Sequence, residues 1–464
     1  MTSPRSRWVW LGPALLAAFI RVPIAAMAED QFGDAPIRVD LVHRWLQSPG
    51  LWWDFGHVFQ YGPLPTNVAG LLAWTGLGPD LAPRMLVVIA GIVSVALASI
   101  LAERLGGVAA GVAAGLALAL SPLHIQASTT FASETIYLAF ALGCVLRALD
   151  RDVYGSAALA FGAATTRFDT WLWLPLLGFW WVWRGFPQDR RRGLLAAALL
   201  GVGPLSMLLA NAIMVEDPFA ALHYISSQHV ELAHTAQQLW APPRWREEML
   251  RFWPEAIVTI LTPGFGLLVF VGLWQHLRKR SDALLPLALG IAPPLVYAFK
   301  ALAMDAFWPM PRFALGPAVM LAVGLPRLRW PVIAVCAAVS VYCDVWLTRL
   351  PEGDPGDRLY SAEMSPVSKL PADLRAGSKA LREVNGTVAL DFVPTYEDIL
   401  VAYGAGLDRY KLLHPEPGSV PNRIVAIAGG AWDTQLRANA QAFGHRYRRT
   451  GEQGRVSWWD LDDG

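Results

Sequence analysis

The chain alternates long apolar runs with short polar breaks, and a run of about 17 to 25 residues is long enough to cross a bilayer as a helix. Eleven such runs are read, at 8–28, 81–102, 107–126, 132–148, 153–166, 170–184, 193–214, 255–275, 283–303, 312–326 and 330–348. The fifth and sixth are short, which fits tilted or partly re-entrant segments. Only the polar break Thr165-Thr166-Arg167-Phe168-Asp169-Thr170 separates them. Past Leu350 the pattern changes. Pro351-Glu352-Gly353-Asp354-Pro355-Gly356-Asp357 is a turn-rich linker. Beyond it, 387–393, 423–428 and 455–461 read as strands, with helices near 371–384, 396–404 and 432–443 between them. The pattern predicts an all-α polytopic membrane bundle of about 11 transmembrane helices over residues 1–350, including an outer loop over 29–80, and a small α/β soluble domain over 351–464.

Composition agrees with the runs. Of 464 residues, 54% are hydrophobic, 16% are charged and 21 are tryptophan, with a mean hydropathy of +0.37. So apolar a chain belongs in a lipid bilayer rather than in ordinary globular domains. A net charge of +1, with the basic residues spread out, excludes a nucleic-acid surface. Cys144, Cys336 and Cys343 all fall inside apolar segments, as small buried hydrophobes do. The C-terminal domain has no glycine-rich phosphate loop, no Cys/His metal spacing and no nucleophile elbow.

Lysine and arginine in short loops are retained on the cytoplasmic side. With the N-terminus cytoplasmic, every inner segment is basic, from Arg5 and Arg7 through Arg190-Arg191-Arg192 to Arg327 and Arg329. The outer segments then carry most of the acids, and eleven spans place the C-terminal domain outside the cytoplasm. Ala26-Met27-Ala28 resembles a signal-peptidase site, but Arg21 and Pro23 interrupt the apolar core that such a peptide needs. The first run is read as a retained span.

Candidate chemistry gathers at the outer face. The run Glu29-Asp30-Gln31-Phe32-Gly33-Asp34-Ala35-Pro36-Ile37-Arg38 opens the first loop directly after a span. Arg38, Arg44, Arg167, Arg251 and Arg312 lie on this face against the charge trend, and each needs an anion, ordinarily a nearby carboxylate or a lipid headgroup. A lipid-linked phosphate gripped by guanidinium forks is the sharper alternative. Lys300 sits about one turn inside the ninth run, where snorkelling to the surface is easy. Arg21 lies deeper, and a salt bridge within the bundle is expected for it. Glu134 would open the fourth span, with Ser133 as its cap, and Asp169 the sixth, where it can pair locally with Arg167. His223, His229 and His234 share the loop between the seventh and eighth runs without the spacing of a zinc motif.

These motifs, in this order and on one side, resemble the membrane-embedded GT-C glycosyltransferases, the superfamily of protein O-mannosyltransferases, aminoarabinose transferases and oligosaccharyltransferase catalytic subunits. The carriers are Gly33-Asp34-Ala35-Pro36-Ile37-Arg38, Tyr61-Gly62-Pro63-Leu64-Pro65, Ser121-Pro122-Leu123-His124, Ala132-Ser133-Glu134, Thr166-Arg167-Phe168-Asp169 and Pro311-Arg312-Phe313. The resemblance covers about residues 1–350. It implies transfer of a sugar from a polyprenyl-phosphate donor to a hydroxyl of a glycan, lipid or protein acceptor at the non-cytoplasmic face, in a bacterial inner membrane. A first-loop carboxylate would be the base. Many relatives carry an Asp-Glu doublet just after the first span, whereas this chain has Glu29-Asp30 in the opposite order and a separate Asp34. Asp30 and Asp34 both stay open as the base. Asp34 is preferred because Arg38, four residues on, would share a helix face with it, and Glu29 is left as a bystander.

The residue types suit that chemistry, which needs a base near the acceptor and positive charge near the departing phosphate. Arg312, Arg167, Lys300 and Arg38 are the candidates for the phosphate. Glu134 and Asp169 would orient the acceptor or hold Mg²⁺ or Mn²⁺, a metal the arginines could make unnecessary. A single base acting opposite the leaving group implies inversion, by analogy with inverting glycosidases. Two readings compete. A lipid-sugar flippase or secondary transporter would favour two related halves and a midplane site, and no halves repeat here. A non-catalytic membrane partner would leave the outer carboxylates dispensable.

Overall fold

The computed structural model describes residues 7–29, 34–186, 188–239, 242–279, 282–304, 310–349, 365–367, 370–384, 386–392, 397–407, 409–413, 415 and 419–462. The described residues fall into two compact units, one drawn from Met1–Met27, Leu41–Leu350 and Asp354–Val367, the other from Ala28–Asp40, Pro351–Gly353 and Ser368–Gly464. The described residues of 28–40, expected above to belong with the membrane domain, thus fall in the second unit.

The first unit is helical. In chain order its helices begin with α1 (Arg7–Met27), α2 (Ala35–Gln47, whose opening residues through Asp40 fall in the second unit), α3 (Phe55–Val58) and α4 (Pro63–Leu72), which ends in a π turn at Ala73–Leu77. Then come α5 (Leu81–Gly106), α6 (Val108–Ala119), α7 (Pro122–Ala127), α8 (Ser133–Leu149), α9 (Val153–Ala164) and α10 (Asp169–Trp180), which also ends in a π turn, Trp181–Gly185. The remainder are α11 (Arg190–Leu200), α12 (Val202–Met214), α13 (Ala220–Leu239), α14 (Pro242–Ile260), α15 (Thr262–Lys279), α16 (Leu284–Ala303), α17 (Pro311–Ala322) and α18 (Trp330–Leu347).

Every one of the eleven expected runs contains helix, and the chain is an integral membrane protein. Among the described residues four helices, Trp8–Met27, Leu81–Gly106, Leu284–Ala303 and Trp330–Leu347, are unbroken and both long and apolar enough to span. The others are shorter or broken, so eleven straight spans overstate the regularity. The run at 193–214 bends by 42° between α11 and α12. The run at 255–275 is sharply broken: Leu250–Ile260 and Thr262–Lys279 meet at 116°, where Thr262 takes a left-handed φ of 60° just before Pro263 and Gly264. The histidine-bearing segment, expected as a partly helical loop, is helix α13.

Close packing explains the small residues. On α6, a Cβ at Gly111 would strike Val9, and one at Gly115 would strike Pro13, both on α1. The glycine spacing therefore lets side chains of α1 pack directly onto the backbone of α6. The break between α9 and α10 is held just as closely. Thr165 and Thr166 turn their hydroxyls back to the carbonyls of Phe161 and Gly162, at 2.8 and 2.7 Å. Leu64 donates its N–H to the Thr165 carbonyl at 3.1 Å, and any side chain at Gly62 would collide with the carbonyls of Thr165 and Thr166. The Tyr61-Gly62-Pro63 motif is thus a backbone seat for the segment that carries Arg167.

The second unit holds a five-stranded sheet in the order β1-β2-β5-β4-β3, formed by β1 (Val388–Leu390), β2 (Arg423–Ile427), β3 (Gln441–Ala442), β4 (His445–Gln453) and β5 (Val456–Leu461). β1 and β2 run parallel, and the other pairs run antiparallel. Helices α19 (Ala372–Arg382), α20 (Glu397–Ala405), α21 (Arg409–Leu413) and α22 (Ala431–Asn439) accompany it. Alternate residues of β2 enter two cores, Val425 and Ile427 with Leu374, Leu381 and Val401 on one face, Ile424 and Ala426 with Leu436, Tyr447 and Trp459 on the other. Burial on both faces is why this strand is continuously apolar. The helix expected over 432–443 stops at Asn439, because Ala440 is left-handed at φ 54° and the chain turns into β3. β4 was not expected. Its sequence, His-Arg-Tyr-Arg-Arg-Thr-Gly-Glu-Gln, buries only Tyr447, so no apolar alternation marks it.

Candidate active site

The break after α9 presents Arg167 to two carboxylates. Its Nε and Nη2 donate to Asp169 Oδ2 at 2.8 and 2.6 Å. Nη1 donates to Glu134 Oε1 and, at 3.3 Å, to Ser133 Oγ. Glu134 lies in the first turn of α8, where the helix dipole favours an anion. Ala132, not Ser133, is the N-cap residue. Asp169 opens α10, and its second oxygen accepts the hydroxyl proton of Tyr297 from α16. Only 11% of the Arg167 side chain and 6% of Glu134 are exposed. Burying such a group costs several kcal/mol per ion before pairing offsets it, so within an apolar bundle it marks a candidate for function.

A small cavity of about 10 Å³ opens on this cluster, lined by Glu134, Tyr137, Arg167, Asp169, Tyr297 and Arg312 among others. Arg312 sits in the first turn of α17, adds its field at Asp169 and lies over the Phe313 ring at 5.3 Å. The Trp253 and Tyr297 rings stack at 5.8 Å and 10°, and Phe313 lies between Tyr297 and His229, at 5.8 and 5.6 Å. Tyr137 accepts from the Trp173 indole at 3.1 Å. Two guanidiniums and two carboxylates leave the cluster near neutrality. An arriving phosphate would meet Arg312 together with the positive end of α17.

Of the residues singled out in the sequence, Arg167, Arg312, Glu134 and Asp169 are brought together here. Lys300 is one turn along α16 from Tyr297 but does not line the cavity, and among the described residues it forms no ion pair. Asp34 and Arg38 lie in the second unit. The Arg38 N–H donates to the Asp34 carbonyl at 3.1 Å, so the four-residue helical spacing holds. Arg38 is buried, and Asp30 lies outside the described residues. Arg251 has an ordinary partner, Glu255 at 3.0 Å. The sequence reading missed Tyr297, Tyr137 and Trp253, since an aromatic in an apolar run is indistinguishable from core. Only the phenol hydroxyls hint at a polar neighbour.

Glu134 and Asp169 do not fit a divalent metal. Both are engaged by Arg167, which removes the anionic excess a dication needs. Among the described residues no group of three His, Cys, Asp or Glu side chains is placed to hold one.

A second buried arginine differs. Arg21, fully buried, donates to Ser128 Oγ at 2.7 Å, to the carbonyls of Leu118 and Ala119 at 3.0 and 3.1 Å, and to His124 Nδ1 at 2.6 Å. His124 Nε2 then donates to Ser94 Oγ at 2.9 Å. The expected salt bridge is therefore replaced by the C-terminal carbonyls of α6, with Asp344 contributing an electrostatic attraction.

No protein-family model and no curated protein sequence matches the chain. Solved structures do. The crystal structure of ArnT from Cupriavidus metallidurans bound to undecaprenyl phosphate superposes with a TM-score of 0.62 at 14% identity, covering 99% of this chain and 98% of that one. The apo form of the same protein gives 0.58 at 15% identity, covering 98% of each. The Archaeoglobus fulgidus oligosaccharyltransferase in complex with Zn and sulfate gives 0.52 at 12% identity, over 97% of this chain and 73% of that chain. The chain thus shares the fold of these polytopic membrane proteins.

Proposed function

We propose that this protein is a membrane glycosyltransferase that moves a sugar from a polyprenyl-phosphate donor to an acceptor hydroxyl at the non-cytoplasmic face, with inversion. The observation that carries the proposal is the Arg167 cluster: a buried, near-neutral set of charges beside a helix N-terminus bearing Arg312, opening on a cavity. The fold shared with a protein crystallised with undecaprenyl phosphate supports the donor class.

In the proposed reaction Asp34 takes the proton of the acceptor hydroxyl, whose oxygen attacks the anomeric carbon. The bond from that carbon to the phosphate oxygen breaks, and the lipid phosphate leaves with the electron pair. Arg312 and the N-terminal N–H groups of α17 stabilise the charge that builds on it. Arg167 spends its donors on Glu134 and Asp169, so its part is to fix those carboxylates, which orient the acceptor. No step uses a metal.

Protein reconstituted in liposomes with a labelled polyprenyl-phosphate sugar tests this. New glycosidic bonds should form, and Asp34→Asn should abolish them while folded protein is retained. Full activity in that variant would remove Asp34 as base and return the role to Asp30. Movement of the donor across the bilayer with no bond formed would replace the transferase with a flippase.

A further inference from the structure

Glu29, left as a bystander by its sequence, is fastened at a specific place. Its carboxylate accepts the Leu370 N–H and lies 3.5 Å from Arg375 Nη2, which also donates to the Leu370 carbonyl at 3.0 Å. Leu370 immediately precedes the N-cap residue of α19, Pro371, so Glu29 sits where a helix N-terminus favours negative charge. At the other end of the same segment, Asp40 lies 3.8 Å from Arg409 Nη1, and Arg409 Nε donates to Asp398 at 2.7 Å. The Asp40 and Arg409 side chains are 10% and 13% exposed, and Asp398 is fully buried. Charge pairs this dry are screened little by salt.

The two anchors bracket Asp34. Tying residues on both sides of Asp34 to a folded unit lowers the conformational freedom left to that carboxylate. The carboxylate proposed above as the base therefore rides on a segment whose placement the C-terminal unit sets.

We propose that Glu29 and Asp40 are positioning residues, and that a role of the C-terminal unit is to hold the head of the first loop through Leu370–Arg375 and Arg409. The consequence for transfer rests on Asp34 being the base; the anchoring itself does not. The test uses full-length protein in nanodiscs and compares wild type with Glu29→Ala, Asp40→Asn and the double variant, with Arg409→Lys as a conservative control that keeps the charge.

Hydrogen–deuterium exchange of amides 35–40 should rise about tenfold in each single variant, as expected for the loss of one charged contact. It should rise further in the double variant, while α8 and α10 exchange as in wild type. In the transfer assay kcat should fall with the donor KM unchanged, and Arg409→Lys should retain most of it. Unchanged exchange over 35–40 in the double variant would overturn the anchoring. Faster exchange with an unchanged kcat would overturn the positioning role. Should the double variant fail to fold, Glu29→Gln, a change at a partly exposed side chain, gives the same readouts. A failure of the glycosyltransferase reading is told apart because it appears in wild type, as absent transfer, and leaves the exchange result standing.

Discussion

Arg21 is a fully buried and Arg167 a largely buried guanidinium of the same helical unit, yet they keep opposite company. Arg21 is met by the carbonyls that end α6, by a serine hydroxyl and by the imidazole of His124. Arg167 is met by two carboxylates from different helices, one of them also held by a tyrosine, beside a cavity. Backbone carbonyls cannot move away from the fold, so an arginine spent on them acts as a staple between α1, α6 and α7. Carboxylates can exchange partners, so an arginine spent on them organises groups that a ligand can use. Embedded charge alone does not identify a site in a membrane protein; the chemistry of its partners and an opening beside it do.

Substitutions separate the two. The largest effect is expected for Arg167→Ala, which strands the buried Glu134 and the partly buried Asp169 carboxylates: transfer should vanish and stability in detergent should fall by about 3 kcal/mol, the lower end of what removing one partner of a buried pair costs. Thermal unfolding and the transfer assay read both. Arg312→Ala should lower transfer by about 10²–10³, the cost of removing one preorganised donor to developing charge, with little change in unfolding temperature. Arg21→Ala should do the reverse. It deprives two buried carbonyls of their donor and so costs about 2–3 kcal/mol of stability, while transfer per folded molecule stays at the wild-type rate. The smallest effect is expected for Tyr297→Phe, which removes one hydrogen bond to Asp169 and should slow transfer by about tenfold. If Arg21→Ala abolished transfer at normal folded yield, the distinction between staple and site would break.

Much of this was legible in the chain. Each of the eleven apolar runs contains helix, because burial in lipid demands unbroken apolarity and the backbone must then satisfy itself as helix, whereas α2, α4 and α13 lie outside the runs. They did not reveal the sharp bend at Thr262, since a turn between two apolar helices buries the same residue types as a straight one. Within the site, Arg167, Asp169, Glu134 and Arg312 stood out because charge is costly there, whereas Tyr297 and Trp253 were hidden among other aromatics. Glu29 escaped notice for a different reason. Its partner, the Leu370 N–H, lies more than three hundred residues away and belongs to the backbone, which no side-chain pattern can announce.

The most direct test is the binding of a polyprenyl phosphate to the reconstituted protein, compared among wild type, Arg312→Ala and Arg21→Ala. Saturable binding by wild type and Arg21→Ala, with a large loss in Arg312→Ala, is the predicted result. Equal binding by all three would contradict the assignment of the Arg167–Arg312 cavity as the place where the donor phosphate is held.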